Sequence, residues 1–193
     1  HIRANLFKYH AACYLTHATI DAAAALRRRP EVKVGGMASI RLRTDAGSDG
    51  VCNIAQPRTG LEAKFSLRLT AAMALGGIDT ASFGSYSDSV ANDPVLTALR
   101  DLVTVELMPG WRSTYGEVSL TLMDGRVIEA KSDSGIPAAD IAEQGHRLRR
   151  KYHSLVDPVL GRTAAERLAK LIDDLDELDD VSQLVRASLP GAN

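Results

Sequence analysis

The sequence predicts an α+β fold, in which helices accompany a four-stranded and mainly antiparallel sheet, followed by a C-terminal segment of α-helices alone. Three observations predict it. Four segments have the apolar character of strands, and two of them flank Asp124-Gly125, a dipeptide suited to a tight hairpin turn. Helical segments lie between the first strand and the second. From Pro137 onward only helical periodicity remains, so we expect one domain over residues 1–137 and C-terminal helices over residues 138–193.

The first helix is expected from Thr16 to about Arg28. Thr16 can cap its start, and the arginines at its end suit the negative pole of the helix dipole. Pro30 follows and stops the helix. Residues 39–44 then alternate Ile or Leu with Arg, which is typical of a half-buried strand.

A long aperiodic segment follows this strand. Residues 45–60 are rich in Gly, Asp and Pro, and a loop of this length inside a compact domain is usually functional or mobile. A second helix is expected over residues 61–75, closed by Gly76-Gly77. A third begins at Asp93-Pro94, with Asp93 as the capping residue and Pro94 at the first helical position, where its missing N–H costs nothing.

The other three strands are expected over residues 102–108, 118–122 and 127–131. The C-terminal helices are expected over residues 138–155, 163–175 and 181–189. Apolar residues recur three or four apart from Leu168 to Leu189, which predicts a helical stripe that must be covered. The α+β part could cover it, and so could a helical domain outside this chain.

Composition excludes several classes of protein. The chain has 193 residues, 45% of them hydrophobic, and a formal net charge of -1, which argues against a general nucleic-acid or anionic-membrane surface. Its two cysteines make no disulfide framework, and no apolar run approaches the roughly 20 residues that span a bilayer. We expect a cytoplasmic protein with reduced thiols. Because the sequence has no initiator Met, we also expect it to be a fragment of a longer chain.

The stretch from Lys8 to Asp21 concentrates reactive side chains at the mouth of the first helix, whose N-terminus attracts anions. Lys8 has three interpretations. It could be an ordinary surface lysine, or a base whose pKa is lowered by roughly 4 kcal/mol of desolvation or repulsion. As a charged ammonium, it could instead stabilise the enediolate that forms when a proton leaves the carbon beside a carboxylate.

Two histidines and a cysteine share this stretch. His10 and His17 have no third ligand nearby, which disfavours a metal site. His17 is expected in the first turn of the helix, as a substrate contact or as a buried hydrogen-bonding residue. Cys13 could be a thiolate stabilised by the helix that follows, or a small buried residue.

A second candidate anion site lies between Gln56 and Ser66, where a loop containing proline and glycine leads into a helix. Such a loop can present backbone N–H groups to an anion, and Arg58 and Lys64 add positive charge. An ordinary helix start explains the same residues. The sequence contains no glycine-rich phosphate fingerprint, nucleophile elbow or Cys-x-x-Cys pair.

Several short motifs run in a fixed order through nearly the whole chain. They are Lys8-Tyr9-His10-Ala11-Ala12-Cys13, Thr16-His17, Asp21, Pro57-Arg58-Thr59, Glu62-Ala63-Lys64-Phe65-Ser66-Leu67, Ala72 to Leu75, Asp93-Pro94-Val95, Met123-Asp124-Gly125, Gly135-Ile136-Pro137 and Lys151-Tyr152. In this order they resemble the MmgE/PrpD family, which includes 2-methylcitrate dehydratases, cis-aconitate decarboxylases and iminodisuccinate epimerases.

The resemblance implies a two-domain enzyme in which an α+β lid is inserted into a helical domain built from both chain ends. It implies a homodimer without a metal or an iron–sulfur cofactor, and an active site in the cleft between the domains. Residues 1–137 would be the lid, and the C-terminal helices would pack with a helical N-terminal half that this chain lacks. That half would supply further active-site groups.

The family's active-site lysine matches Lys8, and a later histidine of the motif matches His17. Some members, including the decarboxylases, carry a functional histidine where this chain has Cys13, and this departure weakens the decarboxylase interpretation. The resemblance therefore favours a hydro-lyase that removes water from a hydroxy-polycarboxylate, with Lys8 as catalytic residue. His10, Cys13, His17, Arg58 and Lys64 are the predicted substrate-binding residues. An epimerase of a dicarboxylic acid and a non-catalytic module that binds small acids are the alternatives.

Overall fold

The structure, a computed structural model, describes residues 5–191 and divides at residues 139 and 140 into two compact units. The helices of the first unit are α1 His17–Arg27, α2 Asp49–Cys52, α3 Gly60–Ala63, α4 Leu67–Gly76, α5 Asp88–Ala91 and α6 Pro94–Asp101. Its strands are β1 Met37–Asp45, β2 Val103–Met108, β3 Tyr115–Leu122 and β4 Val127–Asp133.

The four strands form one sheet in the order β2-β1-β3-β4. Strand β1 is parallel to β2, whereas the pairs β1–β3 and β3–β4 are antiparallel. The predicted α+β class and mainly antiparallel sheet are therefore confirmed. The single parallel pair exists because α2 to α6 return the chain to the end of the sheet where β1 began. Asp124 and Gly125 form the turn between β3 and β4, and Gly125 has a φ of 85°.

Helices α1 and α4 pack together, and α1 also contacts β3 and β4. Ile40 and Leu42 of β1 and Val118 and Leu120 of β3 are completely buried in the resulting core. Close packing of α1 on the sheet requires a glycine at position 116, where an added Cβ would lie 2.9 Å from Thr19 Cγ2. The start of α1 is therefore fixed against β3 by backbone and small side chains.

One predicted helix cap and one predicted helix differ from the structure. Thr16 precedes α1 but does not cap it with its side chain, because its Oγ1 donates backwards to the Cys13 carbonyl at 2.7 Å. The predicted helix over residues 61–75 is broken into α3 and α4. Ser66 separates the two, since its Oγ accepts from the Leu69 N–H at 3.1 Å and donates to the Ile54 carbonyl at 2.7 Å.

Other local predictions hold. Gly77 closes α4 in the left-handed conformation with a φ of 82°. Asp93 caps α6 by accepting hydrogen bonds from the Val95 and Leu96 N–H groups, and Pro94 occupies the first turn. The segment 45–60 is irregular only over residues 54–59, because a 3-10 turn over Ala46–Ser48 and the short helix α2 precede them. Periodicity could not reveal elements of three or four residues.

The sheet face opposite the core carries charged side chains in rows across the strands. Arg43 of β1 pairs with Glu106 of β2 and Glu117 of β3, at 3.4 and 2.9 Å. Arg41 reaches Glu106 and Glu129 at 3.8 and 3.7 Å. Opposite charges on neighbouring strands stabilise the register modestly, because these side chains are substantially exposed.

The second unit contains α7 Ile141–Leu160, α8 Arg162–Asp173 and α9 Ser182–Ala187. Helix α7 runs past the predicted end at residue 155 and includes Pro158, which removes one hydrogen bond only, in the last turn. Gly161, with a φ of 78°, ends the helix. Within residues 5–191, no helix combines the length and the apolar character needed to cross a membrane.

Candidate active site

Two backbone hydrogen bonds fix the segment that leads into α1. The Ala11 N–H donates to the Thr80 carbonyl at 2.9 Å, and the Cys13 N–H donates to the Lys64 carbonyl at 2.9 Å. Thr80 follows α4, and Lys64 directly follows α3. The backbone near Cys13 is thereby joined to the Lys64 segment, although the two are far apart in the sequence.

His10 is buried and held at both ring nitrogens. Its Nδ1 lies 2.7 Å from Thr80 Oγ1, and its Nε2 lies 3.3 Å from Asp21 Oδ1. Because an ionised carboxylate only accepts, Nε2–H donates to Asp21, and Nδ1 shares the second hydrogen bond with the threonine hydroxyl. Thr80 is itself buried, and its carbonyl accepts a hydrogen bond from the Tyr86 hydroxyl at 3.1 Å. This ring is locked in place, with neither nitrogen left for a substrate.

His17 differs from His10 because one of its ring nitrogens has no hydrogen-bond partner among the described residues. Its side chain belongs to a residue that is 1% exposed, and its Nε2 has no hydrogen-bond partner within the described part of the chain. The His10 and Tyr14 rings each lie with their centroids 4.8 Å from that of His17. A buried polar atom without a partner costs about 1–3 kcal/mol, so its retention calls for a functional explanation.

Burial is the main cause that lowers the pKa of His17, to about 3, and the neighbouring His10 and Lys8 lower it further. Asp21 and a hydrogen bond with the Ala12 backbone oppose this shift. We infer that Nδ1–H donates to the Ala12 carbonyl, because a backbone group raises an imidazole pKa only as an acceptor and Nε2 has no partner among the described residues. The neutral ring therefore presents a lone pair at Nε2 at physiological pH.

The Lys8 side chain is exposed, and its positive charge contributes to the lowered pKa of His17. Two predicted site residues, His10 and His17, therefore come together at the start of α1, and the charge of Lys8 acts on His17. The arrangement combines a cation, a neutral imidazole with an open lone pair, and a second imidazole that is fixed by Asp21 and Thr80.

Cys13 is half-buried, and its thiol is close enough to that of Cys52 to affect the pKa of Cys52. Cys52 is completely buried at the end of α2. Burial, together with the neighbouring Cys13, raises the pKa of the Cys52 thiol to about 12. Cys13 is thus less buried than the small buried residue of its alternative interpretation.

Lys64 places its ammonium over aromatic rings. Its Nζ lies 3.6 Å from the centroid of Phe83 and 5.6 Å from that of Tyr86. A cation over an aromatic face is stabilised by about 0.5–2 kcal/mol. The charge of Lys64 is therefore engaged within its own chain, and Lys64 contributes its backbone carbonyl, rather than a free cation, to the segment before α1.

Arg58 lies at a helix start whose backbone N–H groups donate to side chains of the same protein. The Arg58 N–H donates to Glu62 Oε2 at 2.6 Å, and the Glu62 N–H donates to Thr59 Oγ1 at 3.2 Å. The Gly60 N–H donates to Asp88 Oδ1 at 2.8 Å. These backbone donors, predicted to face an anion, already have partners. Arg58 takes no part in the histidine pair among the described residues.

Sequence reasoning missed four residues of the site. Thr80 and Tyr86 lie in an irregular segment after α4 with no periodic signal, and Cys52 lies in the aperiodic segment 45–60. Tyr14, whose hydroxyl donates to the Ser134 carbonyl at 2.6 Å, was part of the first stretch without an assigned role. Across residues 5–191, no group of three or more His, Cys, Asp or Glu side chains is placed to hold a metal ion.

Two comparisons with known proteins bear on this site. The family model described as the MmgE/PrpD C-terminal domain matches residues 10–177. A cis-aconitate decarboxylase from Mus musculus is 29% identical over 192 residues, a region that includes 93% of this chain. The chain spans 38% of the length of that relative.

Proposed function

Because the chain belongs to the MmgE/PrpD family, we propose that it is the C-terminal part of a lyase that acts on polycarboxylic acids by forming a carbanion next to a carboxylate. The observation that carries the proposal is the pairing of Lys8 with His17. One supplies positive charge at the surface, and the other supplies a buried, neutral imidazole with an open Nε2. Together they suit an anionic substrate that exchanges a proton.

Lys8 has the role of anion stabiliser in this proposal. Removing a proton from the carbon beside a carboxylate places additional negative charge on the carboxylate oxygens. A fixed ammonium stabilises that charge more in the transition state than in the ground state, which is what accelerates the step. The exposed position of Lys8 at the mouth of α1 favours this role over that of a desolvated base.

His17 has the role of proton carrier. In the free protein its pKa of about 3 keeps it neutral. A polycarboxylate that enters beside it raises this pKa, because opposite charge favours the imidazolium form. His17 then gains a proton as the substrate binds and passes it to the departing hydroxyl group. His10 is a positioning residue, since Asp21 and Thr80 hold its ring against that of His17.

Dehydration of a hydroxy-polycarboxylate such as 2-methylcitrate is the first reaction that we propose. The similarity to a cis-aconitate decarboxylase supports a lyase and makes loss of carbon dioxide the second candidate. Both reactions pass through a carbanion stabilised by a carboxylate. An epimerase shares that intermediate but returns the proton from the opposite face, which requires a second base.

We propose a domain organisation to match. The first unit is a lid, and the helices of the second unit pack with a helical domain contributed by the rest of a longer chain. Val181, Val185 and Leu189 support this, because they are 62%, 58% and 55% exposed. The complete enzyme would work as a homodimer in the cytoplasm, without a cofactor, with the substrate between the lid and the helical domain.

The reaction is tested with the complete polypeptide in deuterated water, using 2-methylcitrate, cis-aconitate and iminodisuccinate as candidate substrates. Proton NMR follows alkene formation, loss of carbon dioxide and deuterium incorporation in one sample. The proposal predicts an alkene product from 2-methylcitrate. Deuterium exchange and inversion of configuration without a bond-breaking product would replace the lyase with an epimerase. Binding of an acid without any exchange would leave only the binding module.

A further inference from the structure

A cavity of about 430 Å³ lies at the C-terminal end of α1 and has no part in the proposed reaction. Four basic residues line this basic cavity, and they are Arg27, Arg28, Arg29 and Lys33. Its volume falls within the range of about 300–1,000 Å³ that is typical of small-molecule pockets. The candidate active site is a different place, because His17 begins the same helix roughly 15 Å away along its axis.

The chain that carries these cations is fixed by backbone hydrogen bonds. The Arg29 N–H donates to the Leu26 carbonyl at 2.9 Å, and the Val32 N–H donates to the Arg29 carbonyl at 3.0 Å. Pro30 lies in the tight turn that the second bond closes, and Val32 is buried in the core. A ligand would therefore meet a backbone that is already ordered, which lowers the entropic cost of binding.

Two of the four side chains are held by other parts of the first unit. Arg29 Nη2 donates to the Glu129 carbonyl of β4 at 3.1 Å. The Arg27 guanidinium lies beside Gly77, which follows α4, since a Cβ added to that glycine would be 3.6 Å from both Nε and Nη2. Neither contact neutralises a positive charge, because a glycine and a backbone carbonyl carry no net charge.

The positive charge of the basic cavity has no carboxylate to balance it. Over residues 5–191, none of its four cations forms an ion pair. The Glu129 carboxylate is engaged elsewhere, because it lies 3.7 Å from Arg41 and accepts from Ser119 Oγ at 2.9 Å. Like charges gathered at one cavity repel each other, so an anion that binds between them is stabilised.

The charged face of the sheet provides a contrast within the same unit. Arg41 and Arg43 also line a cavity there, of about 330 Å³. Those two arginines pair with Glu106, Glu117 and Glu129 at distances between 2.9 and 3.8 Å. An anion would have to compete with these carboxylates at the sheet face, whereas it would meet no such competitor at the basic cavity.

The dipole of α1 accounts for one of the four cations. Arg27 is the basic residue of the last helical turn, and the effect of the dipole falls off within that turn. Arg28 and Arg29 follow the last helical residue, and Lys33 lies further along the chain. Complementing the dipole therefore does not explain why three further cations line the same cavity.

We propose that the basic cavity binds a ligand with two or more joined phosphate groups. Arginine donates two parallel hydrogen bonds to a phosphate, and lysine adds a point charge. A terminal phosphate group carries about 1.5–2 negative charges at pH 7, so joined phosphates concentrate charge in the small space between four cations. A polycarboxylate spreads its charge over a carbon skeleton and matches this density less well. Inorganic triphosphate and the triphosphate of a nucleotide share the required chemistry.

The site is tested by isothermal titration calorimetry of the complete polypeptide with inorganic triphosphate and with ATP, in buffer without divalent cations. We expect saturable binding of triphosphate that weakens as sodium chloride is added. Equal affinities for the two ligands would identify the phosphates alone as the recognised group, and tighter binding of ATP would identify a nucleotide. Absence of binding by both would overturn the proposal.

Two variants with one charge removed locate the site. Arg28→Gln should weaken triphosphate binding at least about tenfold, because a charge-assisted contact to phosphate is lost. Arg41→Gln is the matched control, since it removes the same charge from the sheet face, and it should change the affinity less than about twofold. Equal weakening in the two variants would overturn the proposal, because it would show a response to total charge only.

A tricarboxylate separates this site from the proposed active site. Arg28→Gln should leave the affinity for tricarballylate within about twofold of the wild type, because the two sites lie at opposite ends of α1. A variant that loses tricarballylate binding but keeps triphosphate binding would assign the basic cavity to carboxylates and overturn the proposal. Triphosphate binding requires no lyase substrate, so it stands or fails independently of the proposed reaction.

Discussion

The start of α1 and the start of α3 are both preceded by basic residues and resemble anion sites in the sequence. In the structure, however, they differ in how their hydrogen-bonding groups are satisfied. At α3, the backbone donors near Arg58 are satisfied by Glu62, Thr59 and Asp88. At α1, Thr16 turns its hydroxyl away from the helix, and His17 Nε2 is buried without a partner among residues 5–191. At the start of α3 these hydrogen-bonding groups all have partners, whereas at the start of α1 one buried nitrogen has none among the described residues.

This difference indicates which helix start would gain a hydrogen bond when a ligand binds. A helix start whose donors and acceptors are all paired gains nothing from an anion, because binding would have to break an existing hydrogen bond. An unpaired buried nitrogen gains the full value of a new one. We therefore propose that substrate binds at the start of α1 and that the start of α3 has a structural role. The residues Lys8 and Lys64, one in each region, make the comparison testable.

The largest expected effect separates these two lysines. Lys8→Ala in the complete enzyme should lower turnover at least a hundredfold, because the enediolate loses its stabilising charge. Lys64→Ala should leave turnover within about threefold, since its ammonium rests on Phe83. Steady-state kinetics with the best substrate measures both. Similar losses of turnover in the two variants would contradict the proposal that the two helix starts have different roles.

The next prediction tests whether close packing of Gly60, at the start of α3, against the Tyr86 backbone stabilises the protein. A Cβ at Gly60 would lie 2.1 Å from the Tyr86 carbonyl oxygen, so Gly60→Ala should cost about 1–3 kcal/mol in the free energy of unfolding. Gly50 is the matched control, because nothing lies within 4 Å of an added Cβ there. Urea denaturation measures both variants. A Gly60→Ala protein as stable as Gly50→Ala would show that this contact is not needed.

The two helix starts also differ in what the sequence alone could show. Residue types and spacing singled out Lys8, His10, Cys13 and His17 as one stretch at the start of a helix. They could not distinguish that stretch from the Arg58 segment, because the partners that complete the second site lie elsewhere in the chain. Asp88 satisfies Gly60 from a different helix, and no local pattern records such a contact.

The fold was predictable for a similar reason. Strand alternation and the Asp124-Gly125 turn are local signals, and they identified all four strands of the sheet. The break at Ser66 was not predictable, since it depends on a hydrogen bond to Ile54 across a loop. Neither were the positions of Thr80 and Cys52, which reach the site through tertiary contacts from irregular or very short elements.

Acid sensitivity provides a smaller effect that is specific to the start of α1. The pKa of His17 is about 3 in the folded protein and 6.5 when unfolded. The unfolded chain therefore binds an additional proton between these values, so stability falls as pH decreases below 6.5, by at most about 1.4 kcal/mol per pH unit. His17→Gln should lose less stability than the wild type between pH 7 and 5. Thermal unfolding measures the two slopes, and equal slopes would contradict the buried neutral histidine.

The smallest effect concerns the cation over the ring at position 83. Phe83→Leu should cost about 0.5–1 kcal/mol of unfolding free energy, because Lys64 loses an aromatic face at 3.6 Å. Phe83→Tyr keeps that face and is the control. Urea denaturation gives the free energies, and steady-state kinetics gives KM. A tenfold lower KM in Phe83→Leu would show that the released Lys64 binds substrate and that the two regions act together.

The most direct test of the central claim is the state of the His17 ring nitrogens with and without a bound polycarboxylate. The complete protein, labelled with 15N-histidine and assigned by comparison with His17→Gln, is observed by NMR at pH 6 to 7 while tricarballylate is added. We expect a neutral ring protonated at Nδ1 in the free protein, and a large shift of the Nε2 signal towards the hydrogen-bonded or protonated form at saturation. Saturable binding of tricarballylate that leaves both His17 nitrogens unchanged would contradict it.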